Sequence, residues 1–216
     1  FITTTETFTA NTSVTLSVNF QWTTANLTSS GDVLVIGFGA PGPEETSFQP
    51  YAGGNGTLSG NKANELHIGI GVTGAGDQIR FVGSALVSGT LENFTSTTPT
   101  YQTLTAGQWY LLEANFVLNE EQTGFHLSVG LFEANADGSK GDTIYVWDAP
   151  SKINPNLVGS TAHAYMMNRL GYYSGVSALD NFYVSTLPDP VPEPSVASVA
   201  LLGVGAWAWL ARRRRG

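Results

Sequence analysis

Asp180 opens the run Asp180-Asn181-Phe182-Tyr183-Val184, near the end of the polar part of the chain. Side chains alternate along a strand, so Asp180, Phe182 and Val184 share one face. Phe182 and Val184 belong in a core, which points Asp180 inward near the rim. A carboxylate withdrawn from water needs a partner. Calcium is one candidate, because it gathers about six to eight oxygens, and Asn181 and Glu6 are the further oxygens expected around it. The alternative is that Asp180 accepts backbone N–H groups in a turn, or pairs with Arg169. No DxDxDG-type calcium loop accompanies it.

A second group is aromatic. Tyr145, Trp147, Tyr172 and Tyr173 carry electron-rich rings that suit the C–H face of a pyranose, so they are the expected carbohydrate platform. Core packing is the competing use of the same rings. Trp22 and Trp109 fall on apolar strand faces and are expected in the core. His67, His126 and His163 stand apart, without HExxH or H-x-H spacing, and predict no metal trio. Glu120 and Glu121 are adjacent, so they point to opposite sides of a strand and read as a solvated hairpin tip. There is no Gly-x-Ser-x-Gly elbow and no phosphate-binding glycine loop. Four Asn-x-Ser/Thr triplets, at Asn11, Asn26, Asn55 and Asn93, are what chance supplies in a chain this rich in Asn, Ser and Thr.

These residues must be held by strands. Val14 to Trp22 alternates without fault, with Val14, Leu16, Val18, Phe20 and Trp22 on one face and Thr15, Ser17, Asn19 and Gln21 on the other. Residues 33–38 are apolar on both faces and read as a central strand. Further strands are predicted at 65–72, 78–83, 109–118, 124–132, 143–147 and 180–185. Gly, Pro and Asn clusters separate them. One or two helical turns are expected around 157–167. The stretch from Ala40 to Ala63 is a long loop rich in Gly and Pro. Many short strands between turns define an all-β protein, an antiparallel β-sandwich of the jelly-roll kind.

The chain has 216 residues and no cysteine, so it has no disulfide framework, thiolate metal site or cysteine nucleophile. Residues 1–194 hold five basic against seventeen acidic residues, a net charge of −12. Such a body repels phosphate backbones, which argues against nucleic-acid partners. Only 12% of residues are charged, so Thr, Ser, Asn and Gly must cover much of the exterior. The chain starts at Phe1 without a basic-then-apolar leader; a removed signal peptide or a fragment is expected.

The end of the chain has another character. Pro188, Pro190, Pro192 and Pro194 alternate with other residues and predict an extended linker over 188–195. Val196 to Ala211 carries no charge across sixteen residues. As a helix it would reach about 24 Å, against a bilayer core of about 30 Å. Trp207 and Trp209 suit an interfacial belt, and arginines extend the reach by snorkelling. Arg212, Arg213, Arg214 and Arg215 favour the cytoplasmic side, which places residues 1–187 outside the cytoplasm. The predicted plan is a β-sandwich over 1–187, a linker over 188–195, a single transmembrane helix over 196–211 and a basic cluster over 212–216.

Linker, short span and terminal arginines together resemble the PEP-CTERM sorting signal of Gram-negative, biofilm-forming bacteria. The triplet is Pro192, Glu193, Pro194, the span is Val196–Ala211, and the basic cluster is Arg212–Arg215. The resemblance implies recognition and cutting by an exosortase-like membrane protease. The body would then be released to the cell surface or the exopolysaccharide matrix. A plain uncut anchor is the alternative. Leu187-Pro188-Asp189-Pro190 begins like a cell-wall sortase signal but lacks its Thr-Gly.

Two further stretches resemble concanavalin A-like and laminin G-like sandwiches. One is Thr105-Ala106-Gly107-Gln108-Trp109-Tyr110-Leu111-Leu112-Glu113, a Gly-x-Trp-Tyr followed by an alternating strand. The other is Gly171 to Val184, GYYSGVSALDNFYV, similar to a closing strand of such domains. The resemblance implies a structural calcium near the terminal strand. It also implies lectins, glycosidases and adhesive modules as relatives, since one fold hosts all three. Retaining glycosidases of this fold carry Glu-x-Asp-x-x-Glu on one strand, with carboxyls about 5–5.5 Å apart; no such run occurs here. The expected role is therefore a non-enzymatic surface protein, with carbohydrate binding as the alternative and polysaccharide hydrolysis as the weaker one.

Overall fold

The computed structural model describes residues 2–23, 30–41, 64–73, 78–87, 90–96, 102–168 and 176–187. Arg169, Tyr172, Tyr173, most of the 40–63 loop, the Pro192–Pro194 triplet, the 196–211 span and Arg212–Arg215 lie outside them. Among the described residues no helix is long and apolar enough to cross a membrane.

The strands are β1 (Ile2–Thr9), β2 (Ser13–Trp22), β3 (Ser30–Ala40), β4 (Asn64–Thr73), β5 (Gln78–Val87), β6 (Thr90–Thr95), β7 (Gln102–Thr103), β8 (Trp109–Leu118), β9 (Gly124–Ala134), β10 (Lys140–Ile153), β11 (Thr161–Asn168) and β12 (Val176–Leu187). They form two antiparallel sheets. One is seven-stranded in the order β1-β11-β3-β4-β5-β6, with β7 against β5; the other is five-stranded, β10-β9-β8-β2-β12. The all-β, antiparallel class expected from the sequence is what the protein adopts.

The core lies between the sheets. Alternation sends Val14, Leu16, Val18, Phe20 and Trp22 of β2 inward, each with no exposed surface. From the facing sheet, β3 contributes Leu34, Ile36 and Phe38. The Phe38 ring meets Phe116 and Phe125 of the five-stranded sheet edge-on, at 5.1 and 5.2 Å between centroids. Each such ring removes apolar surface worth about 1.5–3 kcal/mol from water, and its edge-to-face contacts add to that.

The seven-stranded sheet is also buried on its other face. Val35, Val82, Tyr165 and Met167 form a second, smaller cluster there, none more than 5% exposed. Burial on both faces is why residues 33–38 read as a continuous apolar run. Three strands, β1, β6 and β7, have no counterpart among those expected, and a fourth falls where helical turns were expected. Residues 161–168 are strand β11, not helical turns, with Ala162, Ala164 and Met166 in the main core and Tyr165 and Met167 on the opposite face. Both runs lack polar alternation, but residues 33–38 are rich in Val and Ile, which favour strands, whereas 161–168 carries Ala and Met, which favour helix.

The β8–β9 hairpin closes as the sequence predicts. Glu120 and Glu121 are exposed at its tip. The Asn119 Oδ1 accepts the backbone N–H groups of Thr123 and Gly124, at 2.8 and 3.1 Å.

Candidate functional site

The outer face of the five-stranded sheet carries the polar half of each alternation. One row of cross-strand partners reads Asp180 (β12), Asn19 (β2), Leu111 (β8), Phe132 (β9). The 135–139 turn between β9 and β10 folds against this row. Asn135 N–H donates to the Ser139 carbonyl and Gly138 N–H to the Asn135 carbonyl, both at 2.9 Å. Asp137 Oδ1 accepts the Ser139 N–H at 2.9 Å and the Ser139 hydroxyl at 2.6 Å. Those two bonds hold the Asp137 carboxyl below its ordinary value. Gly138 has φ 81°, and a Cβ there would crowd the Asn19 and Asn181 side-chain nitrogens at 2.7 and 2.8 Å. Only glycine lets the turn come this close.

The turn and the sheet enclose a cleft of about 330 Å³. Its walls include Asn19, Gln108, Trp109, Asp137, Asp180 and Asn181. Asn19 is only 3% exposed. Its Nδ2 donates to the Gly138 carbonyl at 2.9 Å, and its Oδ1 has no hydrogen-bond partner. The nearby cation, Lys140, is engaged elsewhere. Its Nζ lies 2.7 Å from Glu113 Oε1 and 3.9 Å from the centre of the Phe132 ring.

Asp180 does not point inward. It is exposed, and its Oδ1 accepts the backbone N–H of Asn181 at 2.8 Å. The cause is a bulge. Asp180 pairs with Asn19 and Tyr183 with Ser17, so β12 spends three steps where β2 spends two. Asn181 takes the left-handed conformation, φ 51°, to absorb the extra residue. Leu179, Phe182 and Val184 consequently all pack against the core, and Asp180 turns to the cleft. Glu6 belongs to β1, in the other sheet.

The aromatic expectations are reversed in part. Tyr145 and Trp147 pack against the core rather than forming a surface platform. Both lie parallel to Phe81, at 5.1 and 6.3 Å between centroids and 9° between planes. Trp109, expected in the core, lines the cleft instead, because Tyr110, Leu112, Ala114 and Phe116 hold the inward positions of β8. Trp22 is buried as expected. Asn19 and Asp137 were legible only as a polar strand position and a turn residue; nothing in their spacing announces a shared site.

A second polar cluster lies on the far face of the seven-stranded sheet. Glu65, His67 and Tyr165 are at most 2% exposed. His67 Nδ1 is 2.9 Å from the Tyr165 hydroxyl and 3.5 Å from Glu65 Oε1. Burial, then the charge and hydrogen bond of Glu65, push the Tyr165 phenol well above its ordinary range. His126 is exposed and 3.2 Å from the Ser151 hydroxyl. Among the described residues no three His, Cys, Asp or Glu side chains converge as a metal group.

Fold and site define a two-sheet antiparallel β-sandwich with a polar cleft on one outer face. The sequence adds the second half of the identification: residues 190–215 match the PEP-CTERM protein-sorting motif. That signal marks an exported protein handled by an exosortase. No curated protein matches the chain. Among solved structures it is similar to tailspike protein 2 of bacteriophage CBA120. The enzymatically active domain of that protein aligns at 13% identity and TM-score 0.41, over 91% of this chain and 25% of that one. The full-length tailspike aligns at 12% identity and TM-score 0.43, over 89% and 22%. Lectin II from Ulex europaeus aligns at 11% identity and TM-score 0.38, over 82% and 73%. This chain therefore spans about a quarter of the tailspike chains.

Proposed function

We propose that the protein is a non-enzymatic surface or matrix component, delivered through its C-terminal tail and acting through its β-sandwich. The observation that carries this reading is the sorting motif at residues 190–215. In this reading the 196–211 span enters the inner membrane of a Gram-negative bacterium. Arg212–Arg215 hold its end in the cytoplasm, where clustered arginines are retained. The body stands outside, an exosortase-like protease cuts near Pro192-Glu193-Pro194, and the released sandwich joins the cell surface or the exopolysaccharide matrix. The intact mass of the mature protein from cells tests this. The wild type should lack the mass of the tail, and a variant without Pro192–Pro194 should keep it. A wild type that retains the tail would make the segment a plain anchor.

A second reading, carbohydrate binding by the body, is favoured by the cleft beside Asp180. A volume of 330 Å³ falls at the small end of ligand pockets, about 300–1,000 Å³. Amide, carboxylate and indole groups line it together, the mixture that fixes and orients a polyhydroxylated ring. Tyr145 and Trp147 do not serve this reading, because both face the core.

A further inference from the structure

The tail and the cleft belong to opposite ends of the sandwich. β12 runs from Val176, opposite Trp22, to Leu187, opposite Ser13. Trp22 marks the cleft end, because its neighbour Gln21 pairs with Trp109, which lines the cleft together with the 135–139 turn. Ser13 marks the other end, about 31 Å away along the ten residues of β2. The β8–β9 hairpin reaches its tip there, since Val14 pairs with Phe116 and Val117 with His126. The 154–160 turn joins it. The Asn154 N–H donates to the Thr123 carbonyl and the Gly159 N–H to the Ala10 carbonyl, at 2.9 and 2.8 Å. Val117 opposes His126 and Ile153 opposes Gly124, two places along the same strand, so both point away from the core. They are 45% and 59% exposed, two of only four large apolar side chains exposed among the described residues. Glu120 and Glu121 are exposed at the adjoining tip. The nearby cation, Lys152, is buried against Glu92 and the Phe94 ring.

We infer that this tail-side end is the surface met by the membrane protease that cuts the tail, an inference that rests on the processing reading above. An apolar spot of the protease seats on Val117 and Ile153, and basic side chains of the protease face Glu120 and Glu121. The tether is short. Pro192 follows Leu187 by five residues, which span at most about 18 Å when fully extended. The cleft end, about 31 Å along β2 from the partner of Leu187, lies beyond that reach. A protease engaged on Pro192-Glu193-Pro194 therefore abuts the tail-side end and leaves the cleft end free. Such a tether also raises the effective concentration of the two partners to about the millimolar range, so a contact too weak to form between separate molecules is occupied while the tail is held. The two carboxylates disfavour the other available seat, an anionic lipid surface.

Pulse–chase labelling of the full-length protein in cells, read as loss of the tail by intact mass, tests this. Glu120→Lys combined with Glu121→Lys should slow cutting about tenfold, since charges at the rim of an interface act mainly on encounter. Val117→Ser combined with Ile153→Ser should slow it as well. Glu133→Lys, a charge reversal at an exposed position of the cleft end, should be cut at the wild-type rate. All variants should melt with the wild type. Should one fold poorly, a photo-crosslinker at Glu120 of the otherwise unaltered chain should form an adduct with a tagged, inactivated protease, and the same crosslinker at Glu133 should not. Equal cutting rates for the two charge reversals, or an adduct from Glu133 alone, would overturn the inference and leave processing standing. Faster cutting of the Glu120/Glu121 variant would assign this end to the anionic bilayer and overturn it too. A wild type that keeps its tail would remove the processing reading itself.

Discussion

Tyr165 shows how much one buried hydroxyl can be made to report. It is fully buried, 2.9 Å from His67 Nδ1, and hydrogen-bonded to Glu65. Burial first, then the Glu65 charge and hydrogen bond, raise its ionisation well above the ordinary 10.0. The folded protein therefore resists losing the phenol proton more than the unfolded chain does. The stability this contributes is complete below 10.0 and is lost as pH rises through the folded value. Tyr165→Phe should cost about 1–3 kcal/mol near neutral pH, the usual result of breaking a buried polar set. Urea melts on wild type and variant should show that gap narrowing above about pH 10, the ordinary range of tyrosine. A gap constant to the alkaline limit would mean that the phenol does not titrate with unfolding. Residue-scale chemistry of this kind was the least legible part of the sequence. Glu65, His67 and Tyr165 are brought together by the β4 and β11 strands, which both neighbour β3, and no spacing along the chain encodes that.

At the scale of elements, the β12 bulge decides where the cleft finds its second carboxylate. Asn181 sits at φ 51°, a conformation that costs most L-residues about 1–2 kcal/mol and that Asn and Gly tolerate. Asn181→Gly should leave the melting temperature nearly unchanged. Asn181→Val should lower stability by about 1–2 kcal/mol, since a β-branched side chain is worst placed there. Thermal melts of the two variants side by side check this, and equal stability would show that the bulge relaxes in solution. The same bulge explains an error of inference. Strict alternation from Phe182 and Val184 sends Asp180 inward; one inserted residue sends it out, and an insertion leaves no mark in a hydrophobic pattern. The pattern was sufficient for β2, whose inner face is dry and outer face polar, and for the β8–β9 hairpin. It failed for β11, which is dry on both faces and carries Ala and Met, which favour helix. Sequence reading thus recovered the long strands, β3 with both faces buried among them, and lost β11, the edge strands β1 and β6, and the point in β12 where the register breaks.

For the molecule as a whole, charge is the dominant long-range property. Residues 1–194 carry −12, and a compact body of that charge repels itself. Sodium chloride should therefore stabilise the full-length protein, by roughly 1 kcal/mol, or a few degrees in melting temperature for a domain of this size. Calcium separates two explanations of the acidic cleft. Screening alone makes calcium chloride equivalent to sodium chloride at matched ionic strength. A bound structural ion adds stabilisation that grows with its concentration, about 2.7 kcal/mol at a hundred times its dissociation constant. Asp180 is exposed and already accepts the Asn181 N–H, so water solvates the carboxylate and no ion is needed to hold it. Calcium and sodium chlorides should accordingly give the same melting curves, and EDTA should change neither. A calcium-specific rise abolished by Asp180→Asn would instead establish an ion at the bulge, and the cleft's acceptors would then be ligands of that metal.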